Sequence, residues 1–196
     1  MINYHSTRGH KETVSFEDVI LSGVAPDGGL YVPDSVTLEN LTYLTQEDLS
    51  YEDFVKTVFI ALDQSSAKYV EDLSIYSGFK NSPEPVLKDL NDSKVVMELF
   101  HGPTKSFKDY ALQPLGAIAN RRLNELGERG LIIVATSGDT GSAAIQAVKN
   151  SENIDIVVLH PANKVSEYQR KQMTTVIQDN VLNIAVEGSY DDCQRI

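Results

Sequence analysis

Two stretches of this sequence carry residue types that can do carbonyl and anion chemistry. The first is Phe100-His101-Gly102-Pro103-Thr104-Lys105-Ser106-Phe107-Lys108-Asp109, which follows an apolar run and precedes a helical one. A lysine held in a closed crevice there loses the hydration that favours its charged form, which frees the amine for a carbonyl. Lys108 is the candidate, and Lys105 in the same loop is expected to be the exposed one. Left in open solvent, either is only a surface cation.

The second stretch, Thr136-Ser137-Gly138-Asp139-Thr140-Gly141, lies between an apolar run and the small residues Ser142-Ala143-Ala144. Its glycines allow a tight turn and a close approach to a ligand. The helix N-terminus that follows presents free amides to an anion, and Ser137 and Thr140 add hydroxyls. An ordinary strand-to-helix turn capped by Asp139 or Thr140 is the plainer alternative. A phosphate loop of the nucleotide-hydrolase kind is disfavoured, because the Gly-Lys-Ser/Thr ending is missing.

A third loop, His160-Pro161-Ala162-Asn163-Lys164-Val165-Ser166, again joins a strand to a helix. Lys164 and Ser166 could meet an anionic group there, or could simply be a surface lysine beside a capping serine. Arg170 and Lys171 are expected to solvate their helix. His101 is either a proton carrier or a structural donor. The four histidines, His5, His10, His101 and His160, lie far apart, and none has the spacing of a zinc helix, so no metal site is expected.

The elements that must position these loops alternate at a regular spacing. Val95 to Phe100 reads as a strand, Leu112 to Leu126 as a helix, and Leu131 to Val134 as a strand. Ser142 to Lys149 is helical, Ile154 to Leu159 a strand, Ser166 to about Ile177 helical, and Val181 to Val186 a strand. That order predicts an α/β fold, a parallel sheet with covering helices and right-handed crossovers. Ligands in such sheets sit beyond the carboxyl ends of the strands, where the three loops fall.

Residues 1–91 read differently, as a mixed α+β domain preceding an α/β region from 92 to 196. Ser15-Phe16-Glu17-Asp18 starts a short helix, and a turn at Pro26-Asp27-Gly28-Gly29 leads into Leu30-Tyr31-Val32-Pro33. Thr45 and Ser50 are candidate N-caps, and Phe54, Val55, Val58, Phe59 and Leu62 predict a helix from Tyr51 to Gln64 with one buried face. Asn81-Ser82-Pro83-Glu84-Pro85 reads as a connector. The chain reaches Gly188-Ser189-Tyr190-Asp191-Asp192 as a further helix begins, which suggests a fragment.

Composition narrows the function classes. The chain has 196 residues, 41% hydrophobic and 23% charged, which suits a globular protein. Its 28 acidic residues against 17 basic ones give a net charge of -11, which disfavours nucleic acid as a partner. One cysteine, Cys193, cannot form an internal disulfide and reads as a packing residue, in keeping with a reducing compartment. No secretory leader and no membrane-length apolar segment is visible, so the cytoplasm is the expected location.

In its motifs the sequence resembles the threonine synthases, pyridoxal phosphate enzymes of fold type II. The resemblance rests on His101-Gly102-Pro103-Thr104 through Phe107-Lys108-Asp109, followed by Ala135 to Gly141 in the right order. Ser6-Thr7-Arg8-Gly9, Val14-Ser15-Phe16 and Ala25 to Pro33 are similar to the opening domain of the longer fungal and bacterial branch. The resemblance implies that Lys108 holds pyridoxal 5'-phosphate as a Schiff base and moves protons on the substrate. It implies that Ser137, Gly138, Thr140 and Gly141 grip the substrate carboxylate, and that Asp139, where related enzymes carry asparagine, lies near the 3-hydroxyl of the cofactor.

The implied reaction converts O-phospho-L-homoserine and water into L-threonine and phosphate, a carbon–oxygen lyase reaction acting on a phosphate ester. The family carries a glycine-rich loop for the cofactor phosphate and a hydroxyl residue for the pyridine nitrogen further along its chains, and neither is in this sequence. Weak cofactor binding and little activity are therefore expected of the chain alone. Two other readings stay open: a non-catalytic α/β module whose 137–141 loop holds a small anion, and a phospholyase-like relative with another phosphorylated substrate. Oligomeric state is not legible.

Overall fold

Capping serines, proline positions and apolar spacing account for the elements of this chain, described here from a computed structural model that covers residues 2–35, 49–79, 82 and 84–196. Two compact units result, 1–74 and 75–196.

In the first unit a short antiparallel pair, β1 (Tyr4–Ser6) with β2 (Tyr31–Pro33), is held by the turn anticipated at residues 26–29. The Asp27 carboxylate accepts from the Ser6 hydroxyl at 2.6 Å and from the backbone amides of Gly29 and His10 at 2.9 Å. The Ser6 hydrogen bond, then that of Gly29, holds this carboxyl below the usual range. Ser15 opens α1 (Phe16–Ser22) in a reciprocal capping box with Asp18. Ser50 caps α2 (Tyr51–Leu62), which ends at Asp63, slightly before the expected Gln64. Val55 is buried on this helix while Phe54 is exposed. The candidate cap Thr45 lies outside the described residues. Tyr4, Phe16 and Tyr69 form an aromatic chain with ring centroids 6.3 and 6.4 Å apart.

The second unit contains an element that the sequence pattern hid. Val95 to Phe100 was expected to belong to the parallel sheet; instead β4 (Lys94–Glu98) pairs antiparallel with β3 (Val86–Asn91) in a separate hairpin. The expected division at residues 91 and 92 thus falls at the hairpin's turn, and the contacts divide the chain at Ser74 and Ile75. The reason is that the ladder hydrogen bonds of β3 go to β4, so the two strands cannot be assigned to different units. Of the expected connector, Asn81 and Pro83 lie outside the described residues.

The parallel sheet is as expected: β5 (Gly130–Ala135), β6 (Ile154–Pro161) and β7 (Val181–Val186), ordered β5-β6-β7. Ile132 lies opposite Ile156 and Val158 opposite Asn183. Ile154, Ile156 and Val158 are almost fully buried, as are Ala143, Ile145 and Val148 of α4 (Asp139–Val148). The crossover β6 to β7 carries α5 (Glu167–Thr174), shorter than expected, and Ser189 caps α6 (Tyr190–Gln194). Cys193 is buried, as its packing role required.

The helix expected from Leu112 begins earlier: α3 is Asp109–Leu126 and contains Pro114. A proline inside a helix leaves the carbonyl four residues back without its donor. Here that carbonyl belongs to Tyr110, and the hydroxyl of buried Tyr76 donates to it at 2.7 Å. Phe79 wedges between the two tyrosines, its ring centroid 5.3 Å from Tyr76 and 5.1 Å from Tyr110, both edge-on. A side chain thus replaces the lost backbone donor.

This substitution of donors is testable. Tyr76→Phe should lower unfolding stability in urea by about 1–3 kcal/mol, because the Tyr110 carbonyl is left unsatisfied. In the Pro114→Ala background, where residue 114 regains its amide, the same change should cost clearly less. Equal costs in both backgrounds would show that Tyr76 acts only through packing.

Candidate active site

The site is assembled at the matched starts of α3 and α4, which run side by side. Gly116 and Ala147 mark the contact: a Cβ at Gly116 would lie 2.8 Å from the Ala147 carbonyl oxygen and 3.1 Å from Val148 Cγ1. A glycine is needed for backbones that close. Eight residues earlier on each helix stand Lys108 and Asp139, and the Lys108 Nζ donates to Asp139 Oδ2 at 2.6 Å. The two loops singled out by residue type are therefore joined by an ion pair between residues 31 positions apart.

Each loop is held by one buried polar side chain. Asp109, fully buried, accepts from the Thr104 amide at 2.8 Å and from the Thr104 hydroxyl at 2.9 Å. Burial outweighs these bonds and pushes its carboxyl up from the usual range. Thr136, 1% exposed, accepts at its Oγ1 from the amides of Gly138 and Gly141, both at 2.9 Å. Neither residue was singled out for this role; a polar residue in a glycine-rich loop gives no hint of whether it faces inward. Gly138 has φ +142, a conformation L side chains rarely adopt, and a Cβ there would collide with the Gln169 side chain. A Cβ on Gly141 would lie 2.6 Å from Thr136 Cγ2 and 2.8 Å from Met173 Sδ.

The expected residues separate into two groups. Lys108, Ser137, Gly138, Asp139, Thr140 and Gly141 come together. The amides of Gly138 and Gly141 are spent on Thr136, and the Thr140 amide on Asp139 Oδ1 at 3.0 Å. The Ser137 and Thr140 hydroxyls have no hydrogen-bond partner among the described residues. Lys164, by contrast, is exposed and acts electrostatically on Asp192. Ser166 caps α5 through the Gln169 amide at 3.3 Å and lines the cleft as well. Lys105 is exposed, with φ 64. His101 is buried, 3.2 Å from Glu98 and with its ring centroid 4.7 Å from Phe100, a structural setting. Lys171 pairs with Glu167 at 2.7 Å on the exposed face of α5, as solvation required.

Beside the ion pair lies a cleft of about 480 Å³, bounded by Thr104 to Phe107 on one side, Asp139 and Ser142 on a second, and Ser166, Tyr168, Gln169 and Gln172 of the α5 region on a third. That volume suits a small molecule. Gln172 was not anticipated either: its Nε2 donates to the Thr104 carbonyl at 2.8 Å and ties α5 to the lysine loop. The Lys108 Nζ also lies 4.5 Å from the centroid of the Phe107 ring. The Lys108 hydrogen bond, opposed by partial burial and aided by the lysine charge, holds the Asp139 carboxyl below the usual range. No group of histidine, cysteine and acidic side chains among the described residues could hold a metal, and no described helix is long and apolar enough to cross a membrane.

Residues 3–71 match the family model described as threonine synthase N terminus. A threonine synthase of Pseudomonas aeruginosa is 46% identical over all of this chain, and that of Saccharomyces cerevisiae 36% identical over 98% of it. The solved structure of a pyridoxal phosphate-bound threonine synthase from Brucella melitensis superposes with a TM-score of 0.87 at 37% identity. That match covers 100% of this chain and 43% of the other. Over its whole length the chain is similar to the N-terminal part of threonine synthases. It spans 43% of the Pseudomonas relative and 41% of the yeast one, less than half of each. The yeast threonine synthase structure, with a TM-score of 0.82 at 31% identity over 98% of this chain and 42% of its own, places the fold in the same class.

Two outcomes test the site. Thr136→Val should destabilise the protein by about 1–3 kcal/mol for each amide it orphans, read from urea unfolding. For the ion pair the sign follows from the lowered Asp139 pKa: its stabilising contribution is present above the unfolded carboxylate value and lost as pH falls through the folded one. The stability gap between wild type and Asp139→Asn should accordingly shrink from pH 7 to pH 3. A gap that is constant over that range would mean the carboxylate charge contributes nothing.

Proposed function

We propose that this chain supplies the cofactor lysine and the substrate-carboxylate loop of a threonine synthase, a lyase that uses pyridoxal 5'-phosphate to turn O-phospho-L-homoserine and water into L-threonine and phosphate. The observation that carries this reading is the 2.6 Å contact between Lys108 Nζ and Asp139. It brings a lysine capable of carbonyl chemistry to a loop with two unengaged hydroxyls, and its Asp139 member lines a cleft sized for an amino acid derivative.

The residues present fit the cofactor. Lys108 offers a primary amine for the aldehyde, and Asp139 a carboxylate for a phenolic oxygen. When bound, the cofactor supplies the electron sink that loss of a γ-phosphate needs. The protein's part is orientation and proton transfer. Ser137 and Thr140 donate to the substrate carboxylate on a loop whose shape Gly138 and Gly141 permit. The Lys108 amine, once free of the cofactor, carries protons to and from the substrate carbons. Asp139 sets the charge next to both. Lys164 stands outside this constellation, its charge directed at Asp192. A net charge of -11 argues against nucleic acid as a partner, and the single buried cysteine suits the reducing cytoplasm.

A chimera tests the reading. Residues 1–196 replace the matching segment of the Pseudomonas aeruginosa threonine synthase, and phosphate and threonine release from O-phosphohomoserine is measured. The chimera should be active and its Lys108→Ala variant reduced to background. Equal rates would remove Lys108 from the reaction, and turnover of a different phosphorylated amino acid in place of O-phosphohomoserine would overturn the substrate assignment.

A further inference from the structure

Among the described residues the Lys108 Nζ has two interaction partners, and both attract an ammonium: the Asp139 carboxylate at 2.6 Å and the face of the Phe107 ring at 4.5 Å. An ammonium has no lone pair to offer a carbonyl. Attack on an aldehyde requires the nitrogen to give up a proton to solvent and leave its carboxylate. The free amine then forms a C–N bond to the aldehyde carbon, and the aldehyde oxygen departs as water. The pair is accessible to solvent, with side-chain exposures of 26% for Lys108 and 37% for Asp139, so it can open without unfolding its surroundings. The other carboxylate of this segment, Asp109, is committed to Thr104 and offers no second seat.

We propose that Asp139 is an autoinhibitory partner of Lys108: the ion pair competes with an incoming carbonyl, and the lysine becomes reactive only when the pair parts. The inference rests on the reading of Lys108 as the carbonyl-binding lysine and adds a reason for an acidic residue at 139. Occupation of the cleft by a group that takes over the carboxylate, such as a phenolic hydroxyl, would release the amine at the moment the carbonyl arrives. The lysine would thereby be kept from stray aldehydes.

The test uses the chain as it is. Wild type and Asp139→Asn are incubated with pyridoxal phosphate, samples are reduced with borohydride at intervals, and the modified lysines are mapped and quantified. Borohydride delivers hydride to the imine carbon and fixes the label as a secondary amine. Lys105, exposed and without an ion pair among the described residues, serves as the internal reference. Labelling of Lys108 relative to Lys105 should be about twofold to fivefold faster in Asp139→Asn, the range expected of a partly exposed pair. In wild type it should also accelerate with salt, which screens the pair, while Asp139→Asn should be insensitive. Equal or slower Lys108 labelling in Asp139→Asn, or salt-insensitive labelling in wild type, overturns the inhibitory role. Absence of label at Lys108 in both proteins, with other lysines modified, overturns instead the assignment of Lys108 itself.

Discussion

The close approach of α3 to α4 is the constraint on which the site depends. Two contacts fix it, Lys108 to Asp139 at one end and Gly116 to Ala147 further along, and both link residues 31 apart in sequence. Equal offsets at two points eight residues apart mean that the helices run in the same direction and in step over about 12 Å. Side by side in that way, two helices have their N-termini at one level, and the loops that lead into them meet. Any side chain at Gly116 would push the axes apart, and the far end of the contact is where the lysine meets its carboxylate. The Lys108–Asp139 contact at one end is thus tied to packing two turns away.

Proximity of loops is not enough to fix side chains, and here polar satisfaction supplies the rest. The 101–108 loop wraps round the Asp109 carboxylate through Thr104, and the 136–141 loop round the Thr136 hydroxyl through the amides of Gly138 and Gly141. Both anchors are almost wholly buried, so breaking them leaves donors without water to replace them. Gln172 adds a third tie by bonding the Thr104 carbonyl, which makes α5 a wall of the same cleft. The anchors consume backbone amides, while the Ser137 and Thr140 hydroxyls have no hydrogen-bond partner among the described residues.

What could be read from the sequence follows from how local each signal is. The strands β5, β6 and β7 were legible because each is a short, mostly apolar stretch bounded by turn residues, and Ser50, Ser166 and Ser189 announced their helices because capping is decided within four residues. The motif loops were legible as chemistry because lysine, glycine and hydroxyl residues combine there. The β3–β4 hairpin was not, since Val95 to Phe100 as an apolar run resembles a buried parallel strand; yet Val95, Val96 and Met97 are exposed on a two-stranded ribbon. Nor were Tyr76 and Gln172, whose partners lie 34 and 68 positions away and depend on packing that no window of sequence contains.

The two aspartates at the mouths of α3 and α4 show how environment divides roles between like residues. Each stands at the first position of its helix, where the N-terminal amides favour a negative charge. Asp109 is sealed from solvent, and burial drives its carboxyl upward in spite of its hydrogen bonds. Asp139 keeps more than a third of its side chain in solvent and has a lysine against it, so it is driven downward. A group sealed and saturated with intramolecular bonds has nothing left for a ligand, which makes Asp109 part of the scaffold. A group in solvent, charged, with a partner that can be displaced retains the capacity to exchange that partner. The lysine that first drew attention by residue type is therefore governed by the carboxylate opposite it as much as by its own loop.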